Sequence, residues 1–334
     1  MYDRLDLHAL VRAAVVISTM LFVLIGPASA ESVTFTDKSG RSITLKAPVE
    51  RAVLFETYEL LPALGAWDRV VGLSRHAFEN DLLRATQPGL RERIADVGGM
   101  ADMNVEYLLT LHPDVIIGWG LSSQAITFLE AKGIPVVLLD PQSVEDLEET
   151  LRIEGVLFGA SERADRTIAA MKTIIDGVSE RTRRIPDHER RVGLWMMGKP
   201  TVVGARRSVA ARALEIAGMR NAAASEDRPW VEVSAERILA WKPDVVFICG
   251  SARFEVRDIL EAVQWRSLPA VRDGAIWKTP RWSSWSPRLA PMILWMASKA
   301  YPAMFDDAEV ASAIDHFFRD VYGISYSQVA PLDP

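Results

Sequence analysis

Two stretches of this chain repeat one another at a fixed interval. Asn104-Val105-Glu106-Tyr107-Leu108-Leu109-Thr110-Leu111-His112-Pro113-Asp114-Val115-Ile116-Ile117 aligns without gaps with Ser234-Ala235-Glu236-Arg237-Ile238-Leu239-Ala240-Trp241-Lys242-Pro243-Asp244-Val245-Val246-Phe247, 130 positions further on. Gly120 and Gly250 close the two copies at matching places. Each copy holds a polar helix cap, an acid in the first turn, an apolar helical stripe, a Pro-Asp turn and a buried strand. A chain that carries this unit twice is expected to fold as two similar lobes.

The flanking pattern agrees. Ser32 to Thr36 and Ser42 to Leu45 alternate around Asp37-Lys38-Ser39-Gly40 and predict a hairpin. Short apolar runs at Arg51 to Phe55, Val70 to Leu73, Val115 to Ile117, Pro135 to Leu139 and Arg191 to Met196 alternate with helical spacing. That alternation implies parallel strands with right-handed helical crossovers, and ligand sites beyond the carboxyl ends of the strands. From Val144 to Arg184 the pattern is a long helical stretch, divided near Gly155, Gly159 and Ser161. The expected fold class is therefore α/β, two Rossmann-like lobes with parallel sheets joined by a single long helix. Its expected divisions are 31–158 for the first lobe, 159–186 for the connection and 187–334 for the second lobe.

Residues 1–30 form a signal-peptide layout: Arg4 and Arg12, an apolar run from Ala13 to Ile25, then Ala28-Ser29-Ala30 as an A-x-A site. The run is too short to span a bilayer. Cleavage after Ala30 and a periplasmic location are expected. Cys249 is the only cysteine, so there is no internal disulfide and no lipid acceptor near residue 30. A formal charge of −6 offers no basic footprint for nucleic acid.

Four segments carry a family resemblance: Tyr58-Glu59-Leu60-Leu61-Pro62-Ala63-Leu64-Gly65 with Asp68-Arg69-Val70-Val71-Gly72, the block from Val97-Gly98-Gly99 to Pro113-Asp114-Val115, the block from Trp230 to Asp244, and Ser286-Pro287-Arg288. From about Ser32 to about Met304 the chain resembles the class III periplasmic substrate-binding proteins of ABC importers for iron-siderophores, haem and cobalamin. The resemblance implies a monomeric bilobal protein with ligand held shallowly between the lobes, and delivery to an inner-membrane permease dimer with its ATPase. It also implies that Glu106 and Glu236, one on each lobe, pair with permease arginines. Two exposed carboxylates at symmetric places suit a two-fold partner, giving orientation and encounter rate more than affinity.

The ligand residues are expected in loops at strand ends. Among ten tryptophans, Trp119, Trp195, Trp230, Trp282 and Trp285 fall in such places. Tyr58 and His76 join them, as does Met196; Met197 beside it shares the adaptable thioether, and one of the two is expected to be buried in the strand. Arg75, Arg206, Arg207, Arg253, Arg281 and Arg288 lie in similar loops, with Arg75, Arg253 and Arg288 weighted most; their forked donors favour an anionic ligand. His76, His112, His188 and His316 are too scattered to bind a bare metal, so any metal arrives inside a chelator. No catalytic motif and no cofactor is expected. The expected cargo is an iron chelate, a ferric siderophore first, with haem, a corrinoid or a molybdate or tungstate oxyanion as alternatives. A periplasmic sensor subunit and a chelatase-like enzyme are the competing readings of another class.

Overall fold

The structure, a computed structural model, describes residues 31–100 and 102–330. The expected signal peptide and its cleavage after Ala30 lie outside the described residues. Among the described residues, no helix is long and apolar enough to cross a membrane.

The chain opens with the predicted hairpin, β1 (Glu31–Thr36) and β2 (Ser42–Ala47). Five parallel strands then build the first lobe in the order β5-β4-β3-β6-β7: β3 (Ala52–Leu54), β4 (Val70–Leu73), β5 (Ala95–Asp96), β6 (Val115–Gly118) and β7 (Val136–Leu138). Between them run α1 (Leu60–Leu64), α2 (Asp81–Thr86), α3 (Leu90–Arg93), α4 (Val105–Thr110) and α5 (Ser123–Ala131). Two further helices, α6 (Val144–Leu157) and α7 (Ser161–Thr182), leave this lobe. At 22 residues, α7 runs about 33 Å.

The second lobe repeats the arrangement. Its parallel strands are β8 (Val192–Met197), β10 (Arg220–Asn221), β12 (Val245–Ile248) and β13 (Ile276–Lys278). This sheet is not purely parallel, because Gly198, at φ 62°, turns the chain straight back into β9 (Lys199–Gly204). Strand β9 pairs antiparallel with β8, and β11 (Trp230–Glu232) adds antiparallel to β9. The helices are α8 (Val209–Ile216), α9 (Ala235–Trp241), α10 (Val256–Leu260), α11 (Pro269–Arg272), α12 (Leu289–Ala300) and α13 (Asp307–Tyr322).

The repeat holds residue by residue. Strands β6 and β12 are buried at every position, as central strands covered on both faces must be. Asn104 and Ser234 cap α4 and α9 by accepting from the N–H of Tyr107 and Arg237. His112 and Lys242, which precede the two prolines, both take positive φ, at 46° and 50°. Asp114 then accepts from the N–H of Glu50 and Arg51, and Asp244 from that of Val192, at 2.8 to 2.9 Å. Each Pro-Asp turn thereby pins the start of its lobe's first parallel strand.

The matching glycines serve two different needs. Gly120 has φ 68°, in the left-handed region. A Cβ on Gly250 would sit 2.4 Å from the Pro280 carbonyl oxygen and 2.6 Å from that of Thr279. Backbone does not yield cheaply, so Gly250→Ala is expected to cost about 1–3 kcal/mol and to shift the segment after β13. Urea denaturation checks this; an unchanged midpoint would contradict the close approach.

The apolar interior is continuous between the lobes. Leu54, Leu61, Ile168, Met171, Ile175, Leu214, Met292 and Phe318 belong to one cluster that runs from the first sheet past α7 to α12 and α13. The C-terminal helix α13 is part of it: Asp306 caps its start, Gly323 ends it in the left-handed conformation, and Phe317, Phe318, Val321 and Tyr322 are buried.

Candidate ligand cleft

The carboxyl ends of the strands face one another across a cleft of about 280 Å³. The turn after β3 supplies Glu56, Tyr58 and Glu59, and the loop after β4 supplies His76, Glu79, Asn80 and Asp81. From the second lobe come Trp195 and Met197 of β8, Cys249 and Ser251 after β12, and Arg281 to Trp285 after β13. This is where an α/β sheet places ligands, since successive loops diverge there.

Of the expected residues, Tyr58, His76, Trp195, Trp282 and Trp285 line the cleft, as do the lower-weighted Arg281 and Met197. Trp119 joins them indirectly, its ring standing edge-on to that of Trp285 with centroids 5.5 Å apart, so the pair bridges the two lobes. Trp282 is held from behind by Phe318 and Tyr326, at 5.8 and 5.4 Å between centroids.

The other expected ligand residues are elsewhere. Met196 is fully buried on the opposite face of β8, because alternate side chains of a strand point to opposite sides; Met197 is the one in the cleft. Trp230 lies in the edge strand β11, packed over Gly204. Arg75 is bound to Asp102 at 2.7 Å, and Arg253 is exposed outside the cleft lining. Arg206 and Arg207 both pair with Asp227.

Arg288 is the largest correction. It is fully buried, and its guanidinium is consumed by carboxylates of the other lobe: Nε donates to Glu59 Oε2 at 3.0 Å, Nη1 to both oxygens of Asp81 at 2.8 Å, and Nη2 reaches Glu59 Oε1 at 2.8 Å. Burial alone would disfavour the charge, but Glu59 and Asp81 outweigh it and hold the guanidinium protonated. Asn80 Nδ2 also donates to Glu59. The residue joins the lobes beneath the cleft and does not face a ligand.

With Arg75, Arg206, Arg207 and Arg253 elsewhere and Arg288 paired, carboxylates outnumber guanidiniums in the cleft. Glu56, Glu59, Glu79 and Asp81 line it against Arg281, with Arg288 behind. Burial, reinforced by Glu59 and Asp140, pushes the Glu56 carboxyl up to about 7. Burial also raises Asp81, against the pull of Arg288. Beside Thr57, whose φ of 61° is strained for a β-branched residue, Glu154 of α6 is fully buried and pushed up to about 8. Among the described residues, no group of three or more His, Cys, Asp or Glu is placed to hold a metal ion.

The missed residues, Glu56, Glu59, Glu79, Asn80 and Asp81, share one readable signal. They follow the ends of β3 and β4, the position at which ligand loops are expected.

Glu106 and Glu236 lie exposed in the first turns of α4 and α9. The Ser234 hydroxyl holds the Glu236 carboxyl below its usual range.

Comparison with known proteins agrees with this architecture. A family model described as periplasmic binding protein matches residues 52–281. The chain is 26% identical over 286 residues to the uncharacterized ABC transporter substrate-binding lipoprotein YvrC of Bacillus subtilis, covering 82% of this chain and 87% of that one. It is 23% identical to the molybdate-binding protein MolA of Haemophilus influenzae, covering 87% and 91%. The structure of Helicobacter pylori CeuE in a nickel–histidine complex superposes with a TM-score of 0.79 at 23% identity, covering 91% of this chain and all of that one. The chain belongs to the periplasmic binding protein family, as a substrate-binding protein of an ABC transporter.

Proposed function

We propose that the protein captures a compact metal chelate without net negative charge in the cleft between its lobes, a ferric siderophore of the hydroxamate kind above others. The observation that carries this reading is the lining itself: aromatic walls over four carboxylates, with one guanidinium at the surface of the cleft. Aromatic faces suit a bulky, partly apolar complex; two of the four carboxylates are paired with Arg288, and the surplus of carboxylates over guanidiniums disfavours anions. A molybdate or tungstate oxyanion and a trianionic ferric catecholate are both disfavoured by that charge. The volume is close to the low end of the roughly 300–1,000 Å³ usual for small-molecule sites, which favours a compact complex over a corrinoid or haem.

Delivery is to the ABC permease with its ATPase, and Glu106 and Glu236 are proposed to be the contacts. Their exposure and their matched places in the repeat support this.

Titration of tryptophan fluorescence with a ferric trihydroxamate tests the cleft. Saturable quenching is expected in the wild type and at least a tenfold loss of affinity in a Trp119→Ala, Trp285→Ala double variant. Equal affinity in both would place the ligand elsewhere. Charge reversal at Glu106 and Glu236 is expected to abolish uptake and leave this titration unchanged.

A further inference from the structure

We infer that Glu56 is the residue that selects cargo by charge, its carboxylate serving as counter-ion to a cationic group on the bound chelate. The inference rests on the proposed chelate-binding role of the cleft and names the residue that sets its preference.

The four cleft carboxylates are not equivalent. Glu59 and Asp81 are committed to Arg288, and Glu59 also accepts from Asn80. Glu79 is exposed at the rim. Glu56 is partly buried on the turn after β3, and among the described residues its carboxylate has neither a hydrogen-bond donor nor a cationic partner. A carboxylate partly shielded from water and without a protein partner is poorly stabilised, and a cation brought to it supplies what is missing.

Its neighbours strengthen that preference. Glu59 on its own turn and Asp140 beyond β7 are acidic and raise the cost of its charge. His76 lines the cleft from the same lobe as Glu56, after β4, Arg281 lines it from the other lobe, and Arg288 is neutralised by its two carboxylates. The fixed guanidiniums therefore leave Glu56 to be paired by the cargo.

The sign of the pH effect follows. Because Glu56 holds its proton up to about pH 7, binding a cation expels that proton. Affinity for a cationic chelate then rises with pH, by about tenfold in all, as pH approaches 7 and levels off above it. A neutral chelate of similar shape lacks this dependence.

The test is calorimetric titration with a monocationic linear ferric trihydroxamate and with a neutral one, at pH 5.5, 7 and 8.5, on the wild type, Glu56→Gln and Glu56→Asp. In Glu56→Gln the expected result is a flat pH profile and binding of the cationic complex at pH 8.5 weakened about tenfold more than binding of the neutral complex. Glu56→Asp is expected to restore the pH step. Thermal melting of each variant confirms that it is folded. A Glu56→Gln profile that follows the wild type for the cationic complex overturns this inference alone. Failure of the wild type to bind either complex overturns the chelate reading and this inference together.

Discussion

Arg288→Met is expected to lower the stability of the protein by about 3–5 kcal/mol, the largest effect of any single change to the cleft floor. The guanidinium is fully buried and holds Glu59 and Asp81 from the opposite lobe. Removing it leaves two carboxylates facing each other out of water, which is far more costly than the pair itself is worth. Arg288→Lys is expected to fall between, since a single ammonium cannot reproduce the forked contacts with two acids. The triple variant Glu59→Gln, Asp81→Asn, Arg288→Met is expected to recover most of the loss by removing the stranded charges. Urea denaturation measures all three; a loss below about 1 kcal/mol in Arg288→Met would mean that the site admits water and that the lobes are held by the apolar core alone.

Glu154→Gln is expected to remove a large share of the pH dependence of stability between pH 5 and 8. The folded carboxyl titrates at about 8, against 4.5 for the unfolded one. Between those values the folded chain keeps a proton that the unfolded chain releases, so wild-type stability falls as pH rises, by about 1.4 kcal/mol per unit. By pH 7 the accumulated loss is roughly 3 kcal/mol, and above pH 8 the slope ends because both states have lost the proton. Glu56 adds a smaller contribution of the same sign, since its folded carboxyl is also raised. Gln carries no such proton, so the variant gains several degrees of melting temperature relative to wild type on going from pH 5 to pH 8. Parallel melting curves across that range would show that the Glu154 carboxyl is not held neutral. The effect bears on function because Glu154 lies beside Thr57, in the turn that carries Glu56, Tyr58 and Glu59 into the cleft.

The architecture was legible because the repeat states it twice. Caps, Pro-Asp turns and buried strands recur at the same interval, and the structure gives paired residues such as Asp114 and Asp244 the same task. Even so, a shared position does not imply a shared reason: Gly120 is required by its backbone angle and Gly250 by the carbonyls of Thr279 and Pro280. The antiparallel strands β9 and β11 escaped notice because Gly198 alone makes the turn between β8 and β9.

The cleft was legible in its aromatics and not in its charges. Trp282 and Trp285 lie in the loop after β13 and Trp195 lies within β8; Met196, the residue named from the sequence, is buried, and Met197 shares the cleft face with Trp195, as period-two alternation requires. Arg288 was misjudged because its partners, Glu59 and Asp81, are more than 200 positions away in the chain. A loop arginine and a buried inter-lobe arginine look alike until the acids that face it are known. That one pairing converts an apparently basic cleft into an acidic one, and with it the expected charge of the cargo.

The most direct test of the central claim compares two ferric complexes of different charge by isothermal titration at pH 7.5: a ferric trihydroxamate bearing no negative charge and a trianionic ferric tricatecholate. Saturable binding of the first and at least a hundredfold weaker binding of the second are expected. Tighter binding of the tricatecholate, or of molybdate in the same cell, would contradict an acidic cleft that selects against anions.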